Sequence, residues 1–144
     1  MQVFYIESPD VARMTDADVT ALRAELGGIK VHGKNAPKPV RNWAQCGLPF
    51  LVVQALKKAK YPAPLPIQAQ ALPVIMSGRD CIGVATTGSG KTLGFVLPML
   101  RHVNDQVVRG IDEKAGTGPI GLVIAPTREL VQQVRAASRS NERM

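Results

Sequence analysis

The stretch GVATTGSGKTLGF, from Gly83 to Phe95, decides the fold of this chain. Gly88 and Gly90 have no side chains, so the backbone around them can curl about a phosphate group and direct successive N–H groups towards it. A helix that begins near Lys91 would add the positive end of its dipole at the same place. The stretch therefore predicts a phosphate-binding loop between a strand and a helix.

The loop also carries the polar side chains that a bound nucleotide needs. Residues 85–92 fit the relaxed Walker A pattern: alanine or glycine, four residues of any kind, then Gly-Lys-Thr. Lys91 would lie between the β- and γ-phosphates, and the Thr92 hydroxyl would bind Mg²⁺. The hydroxyls of Thr87 and Ser89 add further contacts. The alternative is a glycine turn with an exposed lysine, which the strand–loop–helix context disfavours.

Two apolar runs, CIGVA at 81–85 and IGLVIA at 120–125, predict short buried strands. Each is followed by a segment with helical periodicity, and Pro98 predicts a kink in the first of these helices. Strands that alternate with helices indicate an α/β protein with a parallel sheet. We expect a three-layer P-loop domain.

The amino-terminal half predicts mostly helices. A short amphipathic helix is expected after Thr15, which caps it together with Asp18, and Gly27 ends it. A second helix is predicted from Pro49, and Pro73 is expected to split a third into two pieces. The apolar side of the second helix would consist of Leu51, Val52, Ala55, Leu56 and Ala59. The basic, proline-containing segment at 29–43 reads as an extended, solvated linker.

Composition sets broad limits. The chain has 144 residues, of which 45% are hydrophobic, enough for the core of one domain. Its formal charge of +7 is compatible with a nucleic-acid partner, although a basic excess also serves solubility. Cys46 and Cys81 form no metal-binding or disulfide pattern, which favours a reducing compartment. Neither a secretory leader nor a membrane-spanning apolar run is evident.

Phosphoryl transfer also needs a carboxylate at the end of a second buried strand to hold the metal. The acids downstream of the loop do not fit that place, and no catalytic residue is assigned. Only Asp112 follows apolar residues, in VVRGID, and Arg109 and Gly110 interrupt that run. The acids considered are Asp105, Asp112, Glu113, Glu129 and Glu142.

Three motifs in order resemble those of the DEAD-box ATP-dependent RNA helicases. Residues 85–92 resemble motif I, and PTREL at 126–130 resembles motif Ia. Residues 60–68 resemble the Q motif, and Trp43 stands where its upstream aromatic residue belongs. The matching Q-motif positions are Tyr61, Pro64, Pro66, Ile67 and Gln68. IKVHGKNAPKPV, WAQCGL and LPMLRH are similar to the pre-mRNA-splicing branch of that family.

The resemblance implies ATP and Mg²⁺ as cofactors and RNA as a partner. Gln68 would read the adenine, Tyr61 would stack on it, and Trp43 would support that wall. Thr127 and Arg128 would contact RNA phosphates. Without the resemblance, simpler interpretations stay open. Gln68 would be a polar residue in the first turn of a helix, Tyr61 and Trp43 would be core aromatics, and Arg128 would form a surface ion pair.

The resemblance also implies an incomplete helicase. Residues 43–144 would form part of the first RecA-like domain and residues 1–42 an amino-terminal flank, so we expect the chain by itself to bind nucleotide weakly at best and to show no turnover. A spliceosomal ribonucleoprotein as partner and a nuclear location are expected from the branch. Lys60 and Leu65 depart from the glycine and threonine usual in the Q motif, and Gly94 from the usual alanine. A noncatalytic RNA- or partner-binding protein, or a P-loop kinase or NTPase outside the helicases, remains an alternative.

Overall fold

A computed structural model describes residues 4–108 and 118–142 of the chain. Asp112 and most of the predicted loop at 110–119 lie outside these residues. The described part forms six α-helices and one 3-10 helix, with no helix long and apolar enough to cross a membrane. The α-helices are α1 (Pro9–Ala12), α2 (Asp16–Glu25), α3 (Phe50–Lys58), α4 (Pro66–Met76), α5 (Lys91–Val108) and α6 (Arg128–Glu142), and the 3-10 helix is Trp43–Cys46.

The predicted start of α2 is confirmed. The Thr15 hydroxyl accepts a hydrogen bond from the Asp18 N–H, and the Asp18 carboxylate accepts one from the Thr15 N–H at 2.8 Å. This reciprocal capping box satisfies two N–H groups that the first helical turn leaves unpaired. The helix ends before Gly27, whose φ of +90° needs glycine.

Helix α3 begins directly after Pro49, as predicted, but two residues of its predicted apolar side, Leu51 and Ala59, are exposed, so the prediction is wrong for both. Leu51 is 70% exposed, whereas Val53 packs against the core beside Val52 and Leu56. Since the exposed and buried positions of a short helix depend on its rotation against its neighbours, periodicity alone left this choice open.

The prediction that Pro73 divides its segment is wrong, because α4 continues through it. A proline cannot donate to the carbonyl four residues earlier, which here is that of Ala69. The Val40 N–H donates to that carbonyl at 3.0 Å. A segment of the flank therefore supplies the hydrogen bond that the proline cannot make, and the helix stays intact.

The main core lies where α4, α5 and the 3-10 helix meet the flank. Its buried members come from both sides of residue 42: Tyr5, Val11, Val40, Trp43, Cys46, Leu56, Ala69, Leu72, Met76 and Leu97. The solvated-linker reading of residues 29–43 is therefore wrong. Val40 is 1% exposed, and the Lys38 ammonium donates to the carbonyls of Ala12 and Met14.

The two predicted buried strands are not observed. Within the described residues, 81–85 and 120–125 form neither helix nor strand, and no backbone hydrogen bond ties them to another segment. Ile82 is 96% exposed and Ile124 85% exposed. A strand exists only as part of a ladder, so an apolar run without a neighbouring strand stays unpaired and exposed.

Candidate nucleotide site

The phosphate loop connects the irregular segment at 81–85 to α5, which begins at Lys91. Gly88 and Gly90 have φ values of +77° and +84°, the left-handed region that favours glycine. The two glycines reverse the chain within a few residues. The loop therefore has the curl that the sequence predicts for it.

The Lys91 ammonium folds back over the loop. It donates hydrogen bonds to the carbonyl oxygens of Ala85 and Thr86, each at 2.5 Å. The Ser89 hydroxyl oxygen is buried and has no partner among the described residues. A phosphate group would supply the acceptor that this hydroxyl lacks and an anion for Lys91, so the residues present fit such a ligand.

Gln68 joins the predicted adenine-binding segment to the phosphate loop. Its side chain is 1% exposed; its Nε2 donates to the Gly90 carbonyl at 2.9 Å, and its Oε1 accepts from the Leu65 N–H at 2.8 Å. A Cβ added at Gly90 would lie 2.5 Å from Nε2 of Gln68 and 2.7 Å from Cδ1 of Leu65. Gly90 is thus required by the close approach of α4 as well as by its φ.

Tyr61 and Trp43 are also adjacent. The Trp43 Nε1–H donates to the Tyr61 carbonyl at 2.9 Å; the indole is 2% exposed, and the Tyr61 side chain is 41% exposed. The buried tryptophan holds the backbone on which the accessible tyrosine is displayed. This arrangement leaves the tyrosine ring free to stack on a planar ligand.

Lys60, beside Tyr61, has a φ of +63°. A residue with a Cβ pays for this left-handed conformation, which glycine adopts without strain. The backbone therefore explains why a glycine is the expected residue at this position of the Q motif. The sequence shows that Lys60 replaces the usual glycine, but only the structure shows that this lysine has a left-handed backbone.

The predicted RNA-contacting residues lie on another element. The Thr127 hydroxyl accepts from the Leu130 N–H at 3.4 Å at the start of α6, and Arg128 is exposed in its first turn. No hydrogen bond in the described part of the chain joins either residue to the phosphate loop. The structure thus places Gln68 against the phosphate loop and Trp43 beside Tyr61, but it does not join Thr127 or Arg128 to the loop.

Other groups capable of metal or covalent chemistry are few. No group of three acidic, cysteine or histidine side chains that could hold a metal occurs within 4–108 and 118–142. Burial raises the pKa of the Cys46 thiol to about 12 and also raises the pKa of Cys81. Both thiols are therefore protonated at neutral pH and are poor nucleophiles.

One buried polar residue was missed by sequence reasoning. Gln70 is 7% exposed; its Nε2 donates to the Pro37 carbonyl at 2.8 Å, and its Oε1 accepts from the Arg23 Nε–H at 3.0 Å. The signal available in the sequence was a second glutamine within an otherwise apolar helical segment. Such a residue is buried only when its amide is hydrogen-bonded.

Comparison with known proteins defines the class first. The chain superposes on the RNA helicase Prp28 from Chaetomium thermophilum bound to ADP with a TM-score of 0.78 and 36% identity, covering 96% of this chain and 32% of that one. The yeast DEAD-box splicing factor Prp28 gives a TM-score of 0.74 at 33% identity, with 90% and 30% covered. The fold is therefore that of a RecA-like, P-loop helicase domain.

The family follows from sequence. Residues 65–142 match the family model for the DEAD/DEAH box helicases, and the chain belongs to that family. It is 63% identical over 131 residues to Arabidopsis thaliana DEAD-box ATP-dependent RNA helicase 45, covering 91% of this chain and 13% of the relative. It is 51% identical to the human probable ATP-dependent RNA helicase DDX46, covering 91% and 12%. The chain thus spans about an eighth of the length of these relatives.

Proposed function

We propose that this chain is the ATP-binding front of a DEAD-box RNA helicase, whose whole-protein activity couples ATP hydrolysis to RNA unwinding or ribonucleoprotein remodelling. The observation that carries the proposal is the hydrogen bond from Gln68 to the Gly90 carbonyl. It joins Gln68, the residue expected to read adenine, to the loop expected to hold the phosphates. We assign residues 43–144 to this part of the first RecA-like domain and residues 1–42 to the flank; in the whole protein, the parallel sheet of that domain would take up the apolar runs at 81–85 and 120–125.

The chemistry of the site supports ATP and Mg²⁺ as its ligands. Lys91 would exchange the carbonyls of Ala85 and Thr86 for the β- and γ-phosphates, and the loop N–H groups with the Thr87 and Ser89 hydroxyls would hold their oxygens. The Thr92 hydroxyl would be one ligand of Mg²⁺. The metal would neutralise phosphate charge when bound.

Gln68 keeps the groups needed to recognise adenine. A primary amide has two donor hydrogens and two acceptor lone pairs, and the contacts to Gly90 and Leu65 use one of each. The remaining donor and acceptor match the paired acceptor and donor on the adenine edge. Because the side chain is 1% exposed, the nucleotide reaches it only after neighbouring side chains move. Tyr61 would stack on the base, and Trp43 would support it.

A nucleotide titration tests this proposal. Fluorescent ADP and ATP should bind the chain, and Lys91→Ala should weaken binding by about tenfold or more, a loss of about 1.4 kcal/mol per tenfold. Gln68→Ala should reduce the preference for adenine over guanine nucleotides. Lys57→Ala, which removes an exposed cation of α3, is the matched control. Equal affinity in the wild type and Lys91→Ala would reject the site.

The chain alone should show no ATP turnover. Of the acids downstream of the loop, Asp105 and Glu129 lie on helices rather than at the end of a buried strand, where phosphoryl transfer needs a metal-holding carboxylate. RNA-stimulated phosphate release that is lost in Lys91→Ala would contradict this expectation. Phosphate release measured on wild type and variant side by side decides it.

RNA is the partner proposed for Thr127 and Arg128. Each phosphate contact steepens the decline of log K with log salt by about 0.7 for a single strand. Arg128→Gln should therefore lower the slope by about that amount, whereas Arg13→Gln, an exposed arginine of the flank, should not. RNA binding that persists without ATP and without Arg128 would favour the alternative of a noncatalytic binding protein.

The cellular role we propose is ribonucleoprotein remodelling in nuclear pre-mRNA splicing. Its support is the similarity to the yeast DEAD-box splicing factor Prp28. Capture of small nuclear RNAs from nuclear extract by the immobilised chain, measured by quantitative reverse transcription, tests it. Enrichment equal to that of an Arg128→Gln, Lys91→Ala double variant would count against the role.

A further inference from the structure

Helix α4 carries two buried glutamines that face different partners. Gln68 and Gln70 are two residues apart, so their side chains leave the helix about 200° apart. Gln68 contacts the phosphate loop at Gly90, whereas Gln70 bonds to Arg23 and Pro37 in the flank. Each amide uses both its carbonyl and its NH₂ group. One rigid helix therefore lies between the flank and the nucleotide site.

The flank contacts α4 and the turn after it at three further places. The Val40 N–H donates to the Ala69 carbonyl that Pro73 leaves free. The backbone N–H groups of Phe4 and Tyr5 donate to the Met76 carbonyl at 2.8 and 3.1 Å. The Arg79 guanidinium donates to the carbonyls of Lys34 and Asn35. These bonds extend from the second turn of the helix to the residues beyond its end.

The other side of α4 has little tolerance for displacement. If Gly90 had a Cβ, that atom would lie 2.5 Å from Nε2 of Gln68, so α4 and the phosphate loop leave no space between them at this point. A shift of α4 by about 1 Å would break the 2.9 Å bond from Gln68 Nε2 or force the loop to follow. The position of the helix therefore sets the shape of the loop at Gly90.

We propose that Gln70 is a positioning residue for nucleotide binding: through the bridge Arg23–Gln70–Pro37, the flank holds α4 so that Gln68 keeps Gly90 in its binding conformation. This inference rests on the proposed function, since nucleotide is the ligand whose affinity reports it. It assigns the flank a role in the site although no flank residue contacts the loop by a hydrogen bond in the described part of the chain.

The first test is a double-mutant cycle on nucleotide affinity. Gln70→Ala should weaken binding of fluorescent ADP by about three- to thirtyfold, the usual range for a coupled residue outside the site. In a Gln68→Ala background the same change should have almost no further effect. Glu25→Gln, which breaks the exposed Arg41–Glu25 ion pair within the flank, is the matched control and should leave affinity unchanged. Additive losses for Gln68 and Gln70 would overturn the proposal, since a merely structural role predicts them.

A second measurement does not need nucleotide. The side-chain NH₂ signals of Gln68 and the backbone amide of Lys91, which follows the Gly90 carbonyl, should shift in the NMR spectrum of Gln70→Ala and not in Glu25→Gln. Unchanged signals would overturn the inference. If Gln70→Ala does not fold, Arg23→Ala removes one bond of the bridge and leaves Gln70 bonded to Pro37. A wild-type chain that binds no nucleotide would reject the proposed function, and the NMR result would then decide the inference alone.

Discussion

Gln68 Nε2 lies 2.9 Å from the Gly90 carbonyl oxygen and would lie 2.5 Å from a Cβ at that glycine. One buried side chain therefore both bonds to the phosphate loop and excludes a larger residue from it. Gly88, two residues earlier, has a similar φ of +77° but open space where its Cβ would be. Substitutions at the two glycines therefore distinguish the cost of a left-handed backbone, which both positions share, from the cost of steric contact, which only Gly90 carries.

Gly90→Ala should accordingly destabilise the chain more than Gly88→Ala. Both variants place an alanine in the left-handed region, at a cost of about 1–2 kcal/mol. Gly90→Ala adds overpacking against Gln68 and Leu65, about another 1–3 kcal/mol. Urea unfolding gives the two free energies of unfolding. Equal losses would mean that the helix and loop are less closely packed than the distances indicate.

Lys60→Gly should raise the free energy of unfolding. The φ of +63° disfavours lysine by about 1 kcal/mol, and the greater freedom of glycine in the unfolded chain returns part of that gain. Lys58→Gly, within the last turn of α3, should lower stability instead, by up to about 1 kcal/mol. Thermal unfolding of both variants provides the comparison. A loss at Lys60 comparable to that at Lys58 would contradict the left-handed assignment.

Stability should fall as the pH drops below neutrality because of His102. Its ring contacts the Phe4 ring edge to face at 4.6 Å between centroids. Burial lowers the pKa of His102. The charge of Asp105 opposes this shift, whereas the charges of Arg101 and the amino terminus add to it. A lowered pKa in the folded state means that the folded chain resists protonation. The stability is therefore present above pH 6.5, the ordinary value, and is lost as the pH falls through the folded-state pKa.

Unfolding measured at pH 7.5 and 5.5 checks this, with His102→Gln as the variant and His32→Gln, an exposed histidine, as the control. The pH dependence should flatten in the first variant and persist in the second. If the pH dependence of stability is unchanged in His102→Gln, it arises from other titratable groups.

The exposed apolar runs should make the isolated chain prone to self-association. Ile82 and Ile124 are 96% and 85% exposed, within apolar segments that have no strand partner in the described part of the chain. Replacing both by threonine should reduce dye binding to apolar surface and delay aggregation. The free energy of unfolding should change by less than about 0.5 kcal/mol, since neither side chain is packed. A large loss of stability would show that these residues are buried in solution.

Local chemistry made several features predictable. The Thr15–Asp18 capping box, the start of α3 after Pro49 and the glycine curl before Lys91 each depend on a few neighbouring residues. Their conformations follow from side-chain hydrogen bonds or from φ preferences, which act within one turn of chain. The DEAD-box resemblance is of the same kind, because its motifs are short and continuous.

Features that depend on distant partners were not predictable. Pro73 does not break α4, because a donor at Val40, remote in sequence, takes the freed carbonyl. The apolar runs at 81–85 and 120–125 are not buried, because burial of a strand requires neighbours that periodicity cannot supply. Gln70 was overlooked because its partners lie 33 and 47 positions away.

The amino-acid sequence by itself thus determined the phosphate loop, the capped helices and the helicase family. Only the tertiary structure decided that Gln68 meets Gly90, that Lys60 carries a left-handed backbone, and that residues before Trp43 belong to the same core. The physical reason is the separation along the chain between the groups that interact. Backbone preferences and caps act between neighbours, whereas buried amides and core contacts depend on segments that only folding brings together.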